Sequence, residues 1–417
     1  MRPMRDDGCY RMIMRVHLEP TKWVACALVV ALSSPIARAG ESLALSGDAR
    51  LRYDVIDQSD LLERGEALTL SARIAAEWTP HERLSFLAEL EGNGALIDDF
   101  NDTPFPPRDR PFVPDPDHLD LNRLQLQAKL SDQAFLTLGR QALRIDDQRF
   151  LGVAPFRQNT RSYDAARLSV RTRSTHTFQV GHIGRVNRPL GNRTPKGVFD
   201  SDSWFANANL QTPIGRIGVF HYALDLETGA NWARNKTLAS ATTGIRFDGR
   251  YHTGPVRLDV ESSFATQSDF ADNPLSYSAD YQLLDVRSFV GNFEFGARYE
   301  VLGGDTEQSF QTPLAALHKF QGEADVFLAT PPDGLVDYSA TAKLNGGQVG
   351  PFRDVTPSIT FHRFDSDRGD ARYGSEVDLV IKADLADLKL TLGVADYRAD
   401  TFSADRQRVF LAIGRRF

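Results

Sequence analysis

The chain has 417 residues, a formal charge of −7 and two cysteines, Cys9 and Cys26. An acidic chain of this size carries no electrostatic footprint for nucleic acid. Cysteines confined to the N-terminal end give the remainder neither a disulfide framework nor thiolate chemistry.

The first element in chain order is a leader. Trp23–Leu32 is an apolar run of ten residues, preceded by Arg11, Arg15 and Lys22. It is too short to span a bilayer as a helix, and Ala37-Arg38-Ala39 fits a small-x-small cleavage site. Residues 1–39 are therefore expected to be a signal peptide, with 40–417 as the mature protein. Cleavage would remove six Lys/Arg and three Asp/Glu, leaving a charge of −10. No apolar run of about 18 residues follows the leader, so an exported chain of this kind is a soluble secreted domain or a β-barrel. With only Gly40–Ser42 ahead of the first strand, no plug domain is expected there.

Strand patterns then recur to the last residue. Leu43, Leu45, Leu51, Tyr53 and Val55 share one face, with Arg50 and Arg52 on the other. Leu68, Leu70, Ala72, Ile74, Ala76 and Trp78 oppose Thr69, Ser71, Arg73 and Glu77. After a turn at 79–83, Leu84, Phe86, Ala88 and Leu90 oppose Ser85, Glu89 and Glu91. A period of two means an extended strand with one apolar and one polar face. A Pro- and Asp-rich loop follows at 93–118, including Pro104, Pro106 and Pro107. Short turns and long loops then alternate along the chain, the longest late loop being 303–334. Nine longer and eight shorter connections imply eighteen strands. A soluble sandwich does not sort its connections by length, whereas an outer-membrane barrel has short periplasmic turns and long external loops. The expected fold is thus all-β, a transmembrane antiparallel barrel. Leu, Val, Ile, Phe, Ala and Tyr face out, and polar or charged residues face in. In hydrocarbon such a sheet must close on itself. The last strand keeps Val409, Leu411, Ile413 and the terminal Phe417 in one phase. A strand ending in Phe resembles the signal that outer-membrane barrels present to their insertion machinery.

The stretch 124–170 is the most distinctive. Between alternating segments lies a loop with Arg140, Arg144, Arg149, Arg157 and Arg161, opposed locally by Asp146 and Asp147 alone, a net +3. Its residues Gly139-Arg140-Gln141, Asp146-Asp147, Arg149-Phe150, Gly152, Arg157-Gln158-Asn159 and Tyr163-Asp164-Ala165-Ala166 resemble the alginate-export family of outer-membrane porins. So do Thr312-Pro313, His318-Lys319-Phe320, Gly322, Ala324-Asp325 and Phe327. The resemblance implies that the 303–334 loop, with Lys319, folds toward the pore. It also implies an alginate-like polyuronate as cargo and leaves room for periplasmic export partners.

The residue chemistry points to an anionic cargo independently. Guanidinium binds carboxylate bidentately and keeps its charge at any physiological pH, and anion pores use rings of Arg or Lys. Arg73, Arg123, Lys129 and Arg167 fall in the inward phase and, with Arg140, Arg144, Arg149, Arg157, Arg161 and Lys319, are the expected pore-lining residues. For the strand residues among them the alternative is pairing with inward Glu77, Glu89 or Glu91. The loop arginines have few acids nearby in sequence and are expected to stay free for cargo. The loop Asp365–Asp370 lacks the glycine placement of a calcium loop and reads as a solvated external loop. The nine histidines show no HExxH or metal-ligand spacing, and no Ser/His motif or phosphate loop is present, so neither catalysis, metal nor cofactor is expected. The resulting expectation is a monomeric porin embedded in outer-membrane lipid and lipopolysaccharide. It would pass an anionic polysaccharide or oligosaccharide by passive diffusion. The alternatives are a general anion-preferring porin for small solutes, or a closed structural or hydrolytic barrel.

Overall fold

The computed structural model describes residues 37–38, 41–103, 109–173, 175–191, 194, 197–228 and 236–417. The expected signal peptide thus lies outside the described residues save Ala37–Arg38, as do Pro104, Pro106 and Pro107 of the second loop. Eighteen long strands run through the chain: β1 Glu41–Gln58, β2 Gly65–His81, β3 Leu84–Asp99, β4 His118–Lys129, β5 Ala134–Gln141, β6 Ser162–Arg171, β7 Thr177–Asn187, β8 Val198–Thr212 and β9 Gly215–Leu224. The second half holds β10 Ser240–Thr253, β11 Val256–Asp269, β12 Ser278–Val290, β13 Phe293–Leu302, β14 Leu335–Leu344, β15 Phe352–Asp365, β16 Arg372–Leu385, β17 Leu388–Ala399 and β18 Arg406–Arg416. Each pairs antiparallel with the next, and β18 returns to β1 from Asp48↔Arg416 to Gln58↔Arg406. The sheet is a closed barrel of the expected strand number. Two- and three-residue pairings at Ala37–Arg38, Leu226–Thr228 and Gly347–Val349 decorate its margins. Among the described residues no helix is long and apolar enough to cross a membrane.

Alternation dictates which way each side chain points. Leu90, Leu124, Phe264, Leu284, Ile359, Val377 and Leu411 lie exposed on the outer face, where a membrane barrel meets lipid. Aromatic residues mark both ends of this belt. Trp78 stacks on Phe86 at 5.3 Å near the short turns, and Tyr299 lies 5.3 Å from Tyr338 toward the long loops. Such girdles belong at the two interfaces, where an amphipathic ring suits both media.

The inner face departs from the expected polar pattern. Phe199, Phe205, Phe220, Tyr222, Tyr281, Phe364 and Tyr397 are buried inside the barrel. They do not meet water, because loops fold into the lumen and pack on them. This accounts for the weak alternation of segments 176–186 and 275–288. Ile183, Val186, Ala279, Tyr281 and Leu283 are buried on the inner face, while Asp280 and Gln282 lie exposed on the outer one, so apolar and polar residues are not kept to separate faces along these strands.

The C-terminus closes the seam. Phe417 N–H donates to Gly47 O at 2.9 Å, and Gly47 N–H donates to Phe417 O at 2.8 Å. The Phe417 ring lies over Gly47, where an added Cβ would stand 2.5 Å from Cε2. An aromatic ring laid across a strand glycine restores the contact that the missing side chain would have made. Replacing Phe417 with Asp is expected to slow outer-membrane assembly while leaving the unit conductance of the folded barrel unchanged. Pulse-labelled insertion kinetics beside bilayer recording measure the two effects separately, and wild-type kinetics for the variant would contradict the assignment.

Candidate functional site: a loop-narrowed, basic passage

An eighteen-stranded barrel is wide enough to hold an aqueous channel, so inward-folded loops decide what can pass. Two long loops, 142–161 and 303–334, clasp each other inside the lumen. Gly152 N–H donates to Leu314 O at 2.8 Å, and Ala316 N–H donates to Gln148 O at 3.0 Å. Phe150 then enters an aromatic nest, 4.9 Å from Phe220, 5.4 Å from Tyr281 and 6.1 Å from Phe310. Phe327, at the far end of the second loop, packs 4.4 Å from Phe364 and 5.2 Å from Phe402. The 303–334 loop therefore bridges the lumen, anchored by one aromatic residue on each side. It also needs Gly322, which adopts a φ of +80° and has the Glu376 carboxylate 2.4 Å from where a Cβ would stand.

The acids of the arginine-rich segment are taken up by wall donors. Asn207 and Asn209 donate to Asp146 at 2.7 and 2.9 Å, and Asp147 pairs with Arg246 at 2.6 Å. The arginines in turn meet acids from distant parts of the chain. Arg140 pairs with Asp164 at 2.7 Å, Arg149 with Glu300 at 2.9 Å, and Arg157 with Asp325 at 3.0 Å. The expectation that the local shortage of acids would leave these side chains free does not hold for these three. Arg149 is buried, with its guanidinium 4.5 Å from the centre of the Phe320 ring. It fastens the two loops to β13 and is not part of the cavity lining described below.

Asp325 is the hub of a wider network. It forms an ion pair with Arg157 and accepts from Arg408 at 2.7 Å, while Arg408 also pairs with Asp54 at 2.7 Å. Arg52 continues the series to Asp54 at 3.4 Å and to Asp115 of the 100–117 loop. Asp115 in turn accepts from Gln158 N–H at 2.6 Å. One alternating line of buried charge thus joins three loops to β1 and β18. His318 stacks on Phe156 at 3.3 Å and bonds to Asp325 and Glu323, each at 2.9 Å. Burial opposes charge on this imidazole, but Asp325 and Glu323 outweigh it and hold its pKa above the ordinary value.

Beside the clasped loops a cavity of about 810 Å³ remains. Its lining runs from Phe112, Pro114 and Arg188–Leu190 in the outer loops to Lys389 and Gly414 beside the short turns. Eight cationic side chains line it, Arg50, Arg52, Arg157, Arg161, Arg188, Lys319, Lys382 and Lys389, against one carboxylate, Glu323. Arg161 donates to the carbonyls of Gly152 at 3.1 Å and Ala315 at 3.0 Å. Lys319 donates to Asp147 O at 2.8 Å. Arg50 donates to Gln158 Oε1 at 2.7 Å and Pro155 O at 3.0 Å. These three and Lys382 form no ion pair among the described residues.

Of the residues expected from sequence to line a pore, Arg157, Arg161 and Lys319 are brought together at this cavity. Others lie on the wall in transverse pairs, Arg73 with Asp48 at 2.8 Å and Arg123 with Glu89, while Lys129 at the end of β4 pairs with Asp132 of the adjoining turn at 2.8 Å. Arg144 is exposed, without an ion pair among the described residues, and Arg167 is half-buried on β6. Neither borders the cavity. Arg50 and Arg52 fall opposite the apolar phase of their strand without standing out in the sequence, and Lys382, Arg188 and Lys389 belong to no motif there. The Asp365–Asp370 segment is an external loop whose Asp367 accepts from Gly304 N–H at 2.9 Å.

A closed strand barrel with a lipid belt and inward-folded loops is an outer-membrane porin-like barrel. The chain belongs to the alginate export family, whose profile matches residues 42–268. No curated protein matches the chain. Among solved structures, OpdO of Pseudomonas aeruginosa is similar with a TM-score of 0.68 and 15% identity, over 90% of this chain and 97% of that one. OccAB4 of Acinetobacter baumannii has a TM-score of 0.65 at 15% identity, over 90% and 98%. OpdK of Pseudomonas aeruginosa, solved with vanillate, has a TM-score of 0.66 at 13% identity, over 89% and 98%.

Two outcomes test the loop clasp. Asp325→Asn keeps the side-chain shape but leaves Arg157 and Arg408 facing each other. Breaking one partner of a buried charge network costs roughly 3–5 kcal/mol, so the 303–334 loop should undock, seen as faster proteolysis of that loop and noisier current. The second outcome is a pH dependence. Because the docked loop raises the pKa of His318, its contribution is complete below the ordinary imidazole value of about 6.5 and lost as pH rises through the raised value. Open-channel noise should therefore grow on the alkaline side, and His318→Gln should flatten the profile.

Proposed function

We propose that this barrel is a passive conduit for an anionic polysaccharide or its oligomers, of the polyuronate class. The observation that carries this reading is the excess of cations over carboxylates along a cavity that reaches from the outer loops to the short turns. A low-dielectric wall focuses the field of those charges, raising the local concentration of anions and repelling cations. Guanidinium and ammonium groups already bonded only to neutral carbonyls or amides keep their charge available for a carboxylate. Membership of the alginate export family supports a uronate polymer as cargo. In this reading residues 1–39 are removed on export, and the barrel works as a monomer among outer-membrane lipid and lipopolysaccharide, with periplasmic export partners supplying the chain.

A general pore for small anions is the second reading, supported by the vanillate found with OpdK. The length of the blocking anion discriminates between the two. Oligo-uronates should block the current of the reconstituted barrel more strongly as chain length grows, and less strongly as salt screens the cations. A small-anion pore would show the same affinity for monomer and oligomer.

Selectivity tests the cations directly. Reconstituted in a planar bilayer, the barrel should favour chloride over potassium although the chain as a whole is acidic. Replacing Arg161 and Lys319 together with Gln should lower that preference. It should also weaken oligo-uronate block about tenfold, or about 1.4 kcal/mol. An unchanged reversal potential in the double variant would contradict a role for these side chains in conduction.

A further inference from the structure

We propose that the anion path through the barrel is eccentric, running along the inner wall of β16, β17, β18 and β1, with Lys382 as a selectivity-determining cation on that wall. The inference rests on the conduit reading above and adds the route. The cavity beside the clasped loops is bordered on the barrel wall by residues of β1, β16, β17 and β18 alone. Leu143, Ile145, Leu151, Phe310 and Leu314 are buried in one cluster with the inward aromatic residues of β8, β9 and β12, which fills that flank of the lumen. Toward the short turns of β17 and β18 the cavity-lining side chains Thr391, Ala412 and Gly414 are small. Register places Lys382 beside Thr391, Thr391 beside Ala412, and Ala412 beside Arg52. This row sets two cations on either side of two short side chains. At about 4.8 Å between strands, the two cationic backbones stand about 14 Å apart with little but Thr391 and Ala412 between them. All four residues line the cavity.

The charges on this wall also differ in availability. Several inward cations elsewhere are tied to wall carboxylates, as Lys343 is to Glu294 at 3.1 Å and Arg298 to Glu300 at 3.0 Å. Arg52 is tied likewise, to Asp54 and Asp115. Lys382 is exposed in the cavity, without an ion pair among the described residues. From the loop side Arg161 borders the same cavity, its guanidinium bonded only to backbone carbonyls and its Nε without a hydrogen-bond partner. A carboxylate on the path therefore passes a loop cation and a wall cation that have no carboxylate partner among the described residues. The class of ligand is a carboxylate-bearing saccharide, taken in single file past Ala412.

Single-thiol chemistry tests the route, because the chain from residue 41 onward contains no cysteine. Ala412→Cys in the reconstituted barrel would be exposed to a sulfonate-bearing methanethiosulfonate during recording. Modification should reduce unit conductance by at least half and shift the reversal potential toward cations. Lys382→Gln, which adds no bulk, should lower the chloride-to-potassium permeability ratio at least threefold. A thiol at 412 that resists modification, or one labelled in full with no change in current, would overturn the eccentric route while leaving the conduit reading intact. So would an unaltered permeability ratio in Lys382→Gln. A wild-type barrel that passes no current would overturn the conduit reading itself, and the route with it.

Discussion

A backbone amide in hydrocarbon has no water to bond, so every N–H and C=O of a membrane-spanning strand must find a partner within the sheet. In this barrel the requirement is met at the seam between β18 and β1, which continues through the mutual bonds of Gly47 and Phe417. Everything inside the barrel depends on that closure. An open sheet could neither face lipid with Leu124 and Leu411 nor enclose the loops that shape the passage. The wall is uniform in its bonding, and its differences lie in what each strand turns inward.

Inside the wall a second constraint operates. Charges removed from bulk water must be paired and hydrogen-bonded, and the 142–161 and 303–334 loops enter the lumen with several of them. Arg149, Arg157 and Asp325 are acceptable there because Glu300, Arg408 and Asp54 already point inward from β13, β18 and β1. The pairing fixes where the loops stop. It also leaves Arg50, Arg161, Lys319 and Lys382 bordering the remaining space without a carboxylate partner among the described residues. The same network that holds the gate in position thus determines which charges are left to meet a solute. His318 sits between the two roles, stacked on Phe156 at the tip of one loop while bonded to the acids of the other.

Much of the barrel could be read directly from the alternation of residues. The strands around Leu68–Trp78 and Leu124–Leu130 show it cleanly, and the alternation of short and long connections gives both the strand number and its parity. The candidate site was far less legible. Arg140, Arg149 and Arg157 lie in a segment with few acids, yet Arg140 meets Asp164 across the β5–β6 pairing, and Glu300 and Asp325 reach Arg149 and Arg157 only through barrel closure and loop insertion. Lys319 emerged from its motif, whereas Lys389 is marked only by its phase between Leu388 and Leu390. The inward aromatic residues Phe220, Tyr222 and Tyr281 blur the alternation, and only the loop packed on them explains why.

From its sequence alone this protein is an exported all-β chain whose strands must close into a membrane barrel of eighteen. Period-two patterning and connection length are local properties, and local sterics and solvation act on neighbours in the chain. Which arginines are spent on bracing the loops and which remain available to an anion was decided only in three dimensions. Ion pairing depends on distance, and the distances between loop 142–161, loop 303–334 and the wall of β16 to β1 exist only once the barrel has closed around its own loops.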